Sequence, residues 1–183
     1  MKTIVTILLF TLTTALSAQT KYFTRNGTVT FFSSAPMEDI TAENYNATAV
    51  LDAETGAVEF SILMKSFNFK KALMQEHFNE NYVESDKFPK ATFKGKVLNM
   101  DDIDLSKQGS YPAKVEGEMT IHGVTQKIAP EGTIVVKGEQ VILESKFIVK
   151  PEDYKIEIPD VVREKIAKEI EVTVKTDLEP LKR

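Results

Sequence analysis

Apolar and polar positions alternate with a period of two through most of this chain. Ala113, Val115, Gly117, Met119 and Ile121 share one face, while Lys114, Glu116, Glu118, Thr120 and His122 share the other. A strand with one buried and one wet face produces this rhythm, because successive side chains point to opposite sides of a sheet. Phe93, Gly95 and Val97 oppose Thr92, Lys94 and Lys96. Val141, Leu143, Ser145, Phe147 and Val149 oppose Glu144, Lys146 and Lys150. Ile170, Val172, Val174 and Leu178 oppose Glu169, Glu171, Thr173, Lys175 and Asp177. The pattern predicts strands at about 28–33, 43–53, 56–67, 91–100, 111–122, 126–137, 140–150 and 168–178, with Lys21–Arg25 as an extra first arm. Asn26-Gly27, Glu54-Thr55-Gly56 and Lys137-Gly138-Glu139 supply turn chemistry between strand-like runs, so neighbours are expected to be sequential and antiparallel.

Two segments leave this rhythm. Lys70–Tyr82 sets Met74, Phe78 and Tyr82 at helical spacing, with Leu73 beside them and Glu76, Asn79 and Glu80 outside, which predicts an amphipathic helix packed over the sheet. Pro159-Asp160 followed by Val162, Arg163, Glu164 and Ile166 reads as an N-capped short helix near 160–167. Each helix fits either a cover over an opening or a plug of core structure. Eight sequential antiparallel strands leave exposed edges unless they close, and closure at that number encloses room for side chains or one slender ligand. The expected fold is therefore all-β, an eight-stranded antiparallel up-and-down barrel with two helical inserts.

On that register Val29, Phe31, Val58, Phe60, Ile62, Met64, Phe93, Val97, Val115, Met119, Ile121, Ile134, Val136, Leu143, Phe147 and Val149 all point inward. Among them stand Ala47, Ala49, Gly95, Ala113, Gly117 and Gly132, small enough to leave an elongated apolar space, although glycine in a strand also marks bends and bulges. An apolar space of that kind suits a hydrocarbon chain, which gains roughly 0.8 kcal/mol per methylene withdrawn from water.

The ends and the composition narrow the context. Lys2, the apolar run Ile4–Phe10 and the small-residue exit Ala15-Leu16-Ser17-Ala18 have the parts of a secretory signal peptide over residues 1–18, cut after Ser17 or Ala18. About 165 residues follow, one domain's worth, expected in the periplasm or outside the cell. The chain has no cysteine, hence neither a disulfide framework nor a thiol for a lipid anchor. Its formal charge is −4, with lysines and acids interspersed, which argues against nucleic acid as a partner. No run after the first segment is long enough for a membrane helix. An outer-membrane barrel is disfavoured because the predicted outward faces carry lysine and glutamate.

Chemistry-bearing residues are few. His77 sits at the border of the predicted helix's apolar stripe beside Glu76, where a bond to a backbone carbonyl is the commoner role. His122 ends a strand just before Gly123, where a hydrogen-bonded junction competes with a head-group contact or a general base. Two histidines without a fixed short spacing do not specify a metal centre. Asp101, Asp102 and Asp104 lack the glycine and closing glutamate of a calcium loop and read as a solvated hairpin. Glu76 and Glu80 read as a solvated helix face. Lys70, Lys71, Lys87 and Lys90 could meet an anionic head group, but surface lysine is the plainer reading.

Gln75-Glu76-His77-Phe78 with Tyr82, Ser85-Asp86-Lys87-Phe88-Pro89, Ala91-Thr92-Phe93, Gly117 with Met119-Thr120-Ile121-His122-Gly123-Val124-Thr125, and Asp153-Tyr154-Lys155-Ile156 occur here in one order and spacing. In that arrangement the chain, from about Tyr22 to Leu178, resembles the YceI-like family of secreted lipocalin-like proteins. The resemblance implies an eight-stranded barrel with an elongated pocket for a polyisoprenoid or comparable long-chain amphiphile such as an isoprenoid quinone. It implies a carrier more than a catalyst, working without a cofactor or metal. His77 and His122 are then candidate head-group contacts and the sixteen inward apolar residues the candidate pocket lining. The oligomeric state is left open, a homodimer included.

Overall fold

A computed structural model describes residues 21–181. The segment 1–18 read as a signal peptide lies outside them. The chain forms β1 (Lys21–Ser34), β2 (Asp39–Asp52), β3 (Ala57–Leu63), the two-residue β4 (Asn68–Phe69), helix α1 (Ala72–His77) continued by a π-helical turn (Phe78–Tyr82), β5 (Lys90–Val97), β6 (Gly109–Ile121), β7 (Val124–Ile128), β8 (Glu131–Lys137), β9 (Gln140–Val149) and β10 (Ile170–Pro180). All pairings are antiparallel, and β1 pairs with both β2 and β10, so the sheet closes on itself. β7 and β8 both pair with β6 and together act as one wall of the barrel, and β4 is a short addition to β2. The result is the closed eight-stranded barrel that the period-two pattern predicts.

Several boundaries move, each for a local reason. Asn26-Gly27 is not a turn: β1 runs straight through it, and the arm at Lys21–Arg25 belongs to the same strand. The register against β2 shifts by one extra residue in β1 between Thr24 and Gly27 and by one in β2 between Asn44 and Ala47, so the two bulges compensate. Fully buried Asn44 braces the second bulge. Its amide donates to the Leu63 carbonyl at 2.9 Å, and its side-chain oxygen accepts the Asn46 N–H at 2.8 Å. The strand predicted at 126–137 is divided at Ala129-Pro130, where proline has no N–H to give a ladder. The strand predicted to reach residue 67 stops at Leu63, and Met64–Ser66 form a 3-10 turn. The helix predicted near 160–167 reduces to one 3-10 turn, Asp160–Val162, which has no side-chain cap. Gly56 and Gly138 do take the positive φ expected of hairpin corners.

The outer face is wet and its charges are arranged. Glu59, Lys94, Glu118 and Lys127 stand opposite one another across four neighbouring strands, so unlike charges face each other along the row. Lys146 pairs with Glu171 at 2.8 Å and Lys175 with Glu144 at 3.2 Å on the far side.

Inside, the two ends differ. At the end bearing the β2–β3, β5–β6 and β8–β9 connections, Leu51, Ile134, Val136, Val141 and Leu178 are almost wholly inaccessible, and Ile103 from the β5–β6 loop plugs the floor. Two of the small residues expected to leave space are filled differently. Gly95 and Gly117 pair across β5 and β6, and the Phe93 ring lies over both, so that a Cβ on Gly117 would stand 2.7 Å from that ring and 2.4 Å from the Lys94 carbonyl oxygen. Gly117→Ala must therefore move backbone as well as a side chain. It is expected to cost about 1–3 kcal/mol in urea unfolding, and an unchanged midpoint would show that the ring does not need the glycine floor.

Candidate functional site: an apolar cavity and its clasp

Toward the other end the barrel is hollow. Phe31, Val115, Phe147, Val149, Val172 and Val174 face inward yet are only half-buried, because they border an internal cavity of about 550 Å³. That volume falls within the roughly 300–1,000 Å³ usual for small-molecule sites. All sixteen inward residues named from the sequence line it except Val136, which lies in the packed floor. His77 stands exposed at the rim and its ring hydrogen-bonds no described residue, so the expected bond from the side chain to a carbonyl is not made. His122 does not line the cavity.

Of the aromatic lining, sequence reasoning named Phe31, Phe60, Phe93 and Phe147 but missed Phe67 and Phe69. Phe31 of β1 meets Phe67, Phe69 and Phe78 with ring centroids 5.3, 5.6 and 5.4 Å away, and Phe69 and Phe78 lie 5.0 Å apart. Such tilted and edge-on contacts are the favoured aromatic geometries. The cluster fastens α1 and its π turn over the barrel wall, with Met74, Phe78 and Tyr82 on the cavity side, as the helical spacing predicts. Leu73 points out more than expected, and Asn79, predicted outside, is half-buried with its amide donating to the Gln75 carbonyl at 2.8 Å. The available signal was the Phe67-x-Phe69 spacing, which places both rings on one side of an extended segment. Burial of the Tyr82 phenol raises its pKa.

His122 belongs to a different device at the same end. With Gly123 it forms the two-residue loop between β6 and β7, both residues at positive φ (51° and 73°), the requirement of a tight type I′ hairpin. Its Nδ1 lies 3.2 Å from the Tyr154 carbonyl oxygen and its Nε2 2.7 Å from Glu84 Oε2, and the Phe88 ring packs edge-on against it at 4.6 Å. Both partners present oxygen atoms, so each ring nitrogen that carries a proton has an acceptor in line. Glu84 at φ 44° and Lys155 at φ 56° are the other non-glycine residues in the left-handed region among those described. All three such residues therefore meet where the β3–β5, β6–β7 and β9–β10 connections converge. Gln126 adds a bond from its amide to the Asp153 carbonyl at 2.7 Å. The hydrogen bond from His122 holds the Glu84 carboxyl below its ordinary range, against partial desolvation and with help from Lys87. Buried Tyr154 has its phenol pushed up to about 12 by burial and by the Asp153 charge.

The cavity opens beside this clasp. Its exposed lining residues, Lys71, Leu73, His77 and Lys165, lie on α1 and its approach and on the stretch before β10. The β1–β2 loop bridges the two: Lys71 pairs with Glu38 at 2.6 Å, and the Met37 N–H donates to the Glu164 carbonyl at 2.9 Å. The lining is overwhelmingly apolar, and no three His, Cys, Asp or Glu side chains among the described residues converge as a metal site would require.

The sequence profile of the YceI-like domain matches residues 11–178. The chain belongs to the YceI-like family. Solved structures agree with the fold. A polyisoprenoid-binding domain from Saccharophagus degradans implicated in plant cell wall breakdown is similar at a TM-score of 0.77, with 15% identity over 89% of this chain and 99% of that one. BcnA of Burkholderia cenocepacia is similar at 0.68, with 14% identity over 83% and 95% of the two chains. A YCEI protein of Campylobacter jejuni is similar at 0.56, with 16% identity over 98% and 94%. No curated protein matches by sequence. At these identities the structural likeness is one of fold, and the profile places the blocks around His77, Phe88 and His122 inside one YceI-like domain.

Removing the clasp should loosen this end without unfolding the floor. His122→Ala is expected to lower stability by about 1–2 kcal/mol in urea unfolding, the cost of leaving the carbonyl of buried Tyr154 without its donor. Glu84→Gln carries a pH signature. A carboxyl whose pKa is depressed by folding stabilises above its unfolded value, and that contribution vanishes as pH falls through the folded one. The melting temperature of Glu84→Gln should thus lie below wild type at pH 7 and converge with it under acid conditions. A constant gap at all pH values would contradict the bond's role.

Proposed function

We propose that this YceI-like domain binds the chain of a polyisoprenoid or similar long-chain lipid, such as an isoprenoid quinone, within the barrel, and works as an extracytoplasmic carrier or sequestering protein. The observation that carries the reading is the cavity: a hollow of about 550 Å³ walled almost wholly by aliphatic and aromatic side chains, in a barrel whose opposite end is solidly packed. Apolar volume of this kind is of little use to water, whereas a hydrocarbon chain gains roughly 0.8 kcal/mol per methylene on entering it. The polyisoprenoid-binding relative supports an isoprenoid as the first ligand to try.

A carrier is favoured over an enzyme because the lining offers no nucleophile hydrogen-bonded to a base. Ser33, the one fully buried hydroxyl on the lining, accepts the Ala167 N–H at 2.9 Å and holds the stretch before β10 in place. The outward charged rows support work in water and not within a bilayer. The pattern of residues 1–18 supports export, and N-terminal sequencing of the mature protein should begin at Ala18 or Gln19.

Native mass spectrometry of the mature protein, with organic extraction of whatever it releases, tests the reading directly. A stoichiometric long-chain lipid is expected. A protein that stays empty after incubation with isoprenoid lipids would overturn it. Val174→Trp, which fills the cavity from β10, should abolish loading while leaving the far-ultraviolet circular dichroism of the barrel unchanged. At lipid concentrations near one hundred times Kd, the wild-type melting temperature should rise by several degrees, since linkage then adds about 2.7 kcal/mol, and the filled variant should not respond.

A further inference from the structure

We propose that the open end of the barrel docks on the surface of a lipid bilayer by inserting Met37, Leu73 and Val161, so that cargo passes between bilayer and cavity without crossing water. The proposal rests on the carrier reading above. Among the described residues, the three most exposed large apolar side chains are Val161 at 89%, Met37 at 64% and Leu73 at 61%. They sit on the three segments that bound the cavity opening. Leu73 lies on α1 and itself lines the rim. Val161 precedes Val162, which also lines it. Met37 lies on the β1–β2 loop that joins the two segments through the Glu38–Lys71 ion pair and the Met37–Glu164 backbone bond.

The occupant follows from the cavity that these side chains surround. Each methylene taken from hydrocarbon into water is disfavoured by roughly fourfold, so a chain long enough to use the cavity is almost never free in solution. It has to be collected where it resides, with the opening against the bilayer. Exposed apolar residues ringed by polar ones are the mark of such an interaction site. Charges of both signs border the rim: Lys71 is paired with Glu38 and Arg163 with Asp160 at 2.9 Å, and Lys165 follows Glu164 directly in the stretch before β10. Docking is therefore driven by apolar insertion, and neutral phosphatidylcholine suffices without anionic lipid.

The chain contains no tryptophan, so one introduced at Val161 is a sole reporter. Emission of Val161→Trp should shift to the blue on adding phosphatidylcholine vesicles and be quenched by brominated acyl chains, whereas Ile148→Trp, on the outward face of β9, should not respond. No shift at Val161, or equal shifts at both positions, overturns the proposal. Met37→Ser combined with Val161→Ser alters no cavity-lining residue. Its loading from detergent should match wild type, while its uptake of isoprenoid from vesicles should slow by about tenfold or more. Unchanged uptake overturns the proposal and leaves the carrier reading standing. A wild-type protein that never loads lipid from detergent defeats the carrier reading instead, and the emission shift still decides docking by itself.

Discussion

Closure of the sheet through β1 is the constraint on which the rest depends. Because β1 pairs with both β2 and β10, the sheet has no long free edge and every inward side chain is committed to one enclosed volume. Eight strands enclose more room than a row of valines and alanines fills. At the end bearing the β2–β3, β5–β6 and β8–β9 connections the shortfall is made up by Leu51, Ile134, Val141 and Leu178, by the Ile103 plug, and by Phe93 lying over the Gly95–Gly117 pair. At the other end the long β3–β5 and β9–β10 connections leave the barrel hollow instead of filling it. The apolar cavity is thus a consequence of where the large residues and the long loops were spent.

The hollow end has two sides with different mechanics. On one, His122, Glu84, the Tyr154 carbonyl and Phe88 tie three connections together, and the three left-handed non-glycine residues gathered there carry backbone strain that these bonds offset. On the other, the opening is bridged by an exposed ion pair and one backbone hydrogen bond, and exposed pairs of that kind contribute little. One mouth thus has a firm side and a more weakly held side. His122, which the sequence offers as a head-group contact, is better placed to hold this framework than to touch a ligand, since it stands off the lining.

Much of the fold was legible before any coordinates. Period-two alternation is a direct consequence of burying one face of a strand, so the eight walls and fifteen of the sixteen named lining residues could be assigned from it. The helical spacing of Met74, Phe78 and Tyr82 was equally direct. Asn26-Gly27 misled because a turn dipeptide and a bulge use the same residues, and only pairing with both neighbours decides between them. His122-Gly123 was legible as a hairpin corner in principle, since histidine tolerates positive φ better than most residues.

What the sequence determined by itself was parity: which residues face in, which face out, and that the inward set is apolar. That much follows from local geometry and solvent. What only the tertiary structure decided was volume and convergence. Whether Gly95 and Gly117 leave a void or seat a ring depends on a neighbour's rotamer. Whether Glu84, His122 and Tyr154 ever meet depends on three loops brought together by closure, across separations of 38 and 32 residues in the chain. Alternation has a period of two residues and reports nothing over such distances, so the hollow, its mouth and its clasp exist only once the barrel has closed.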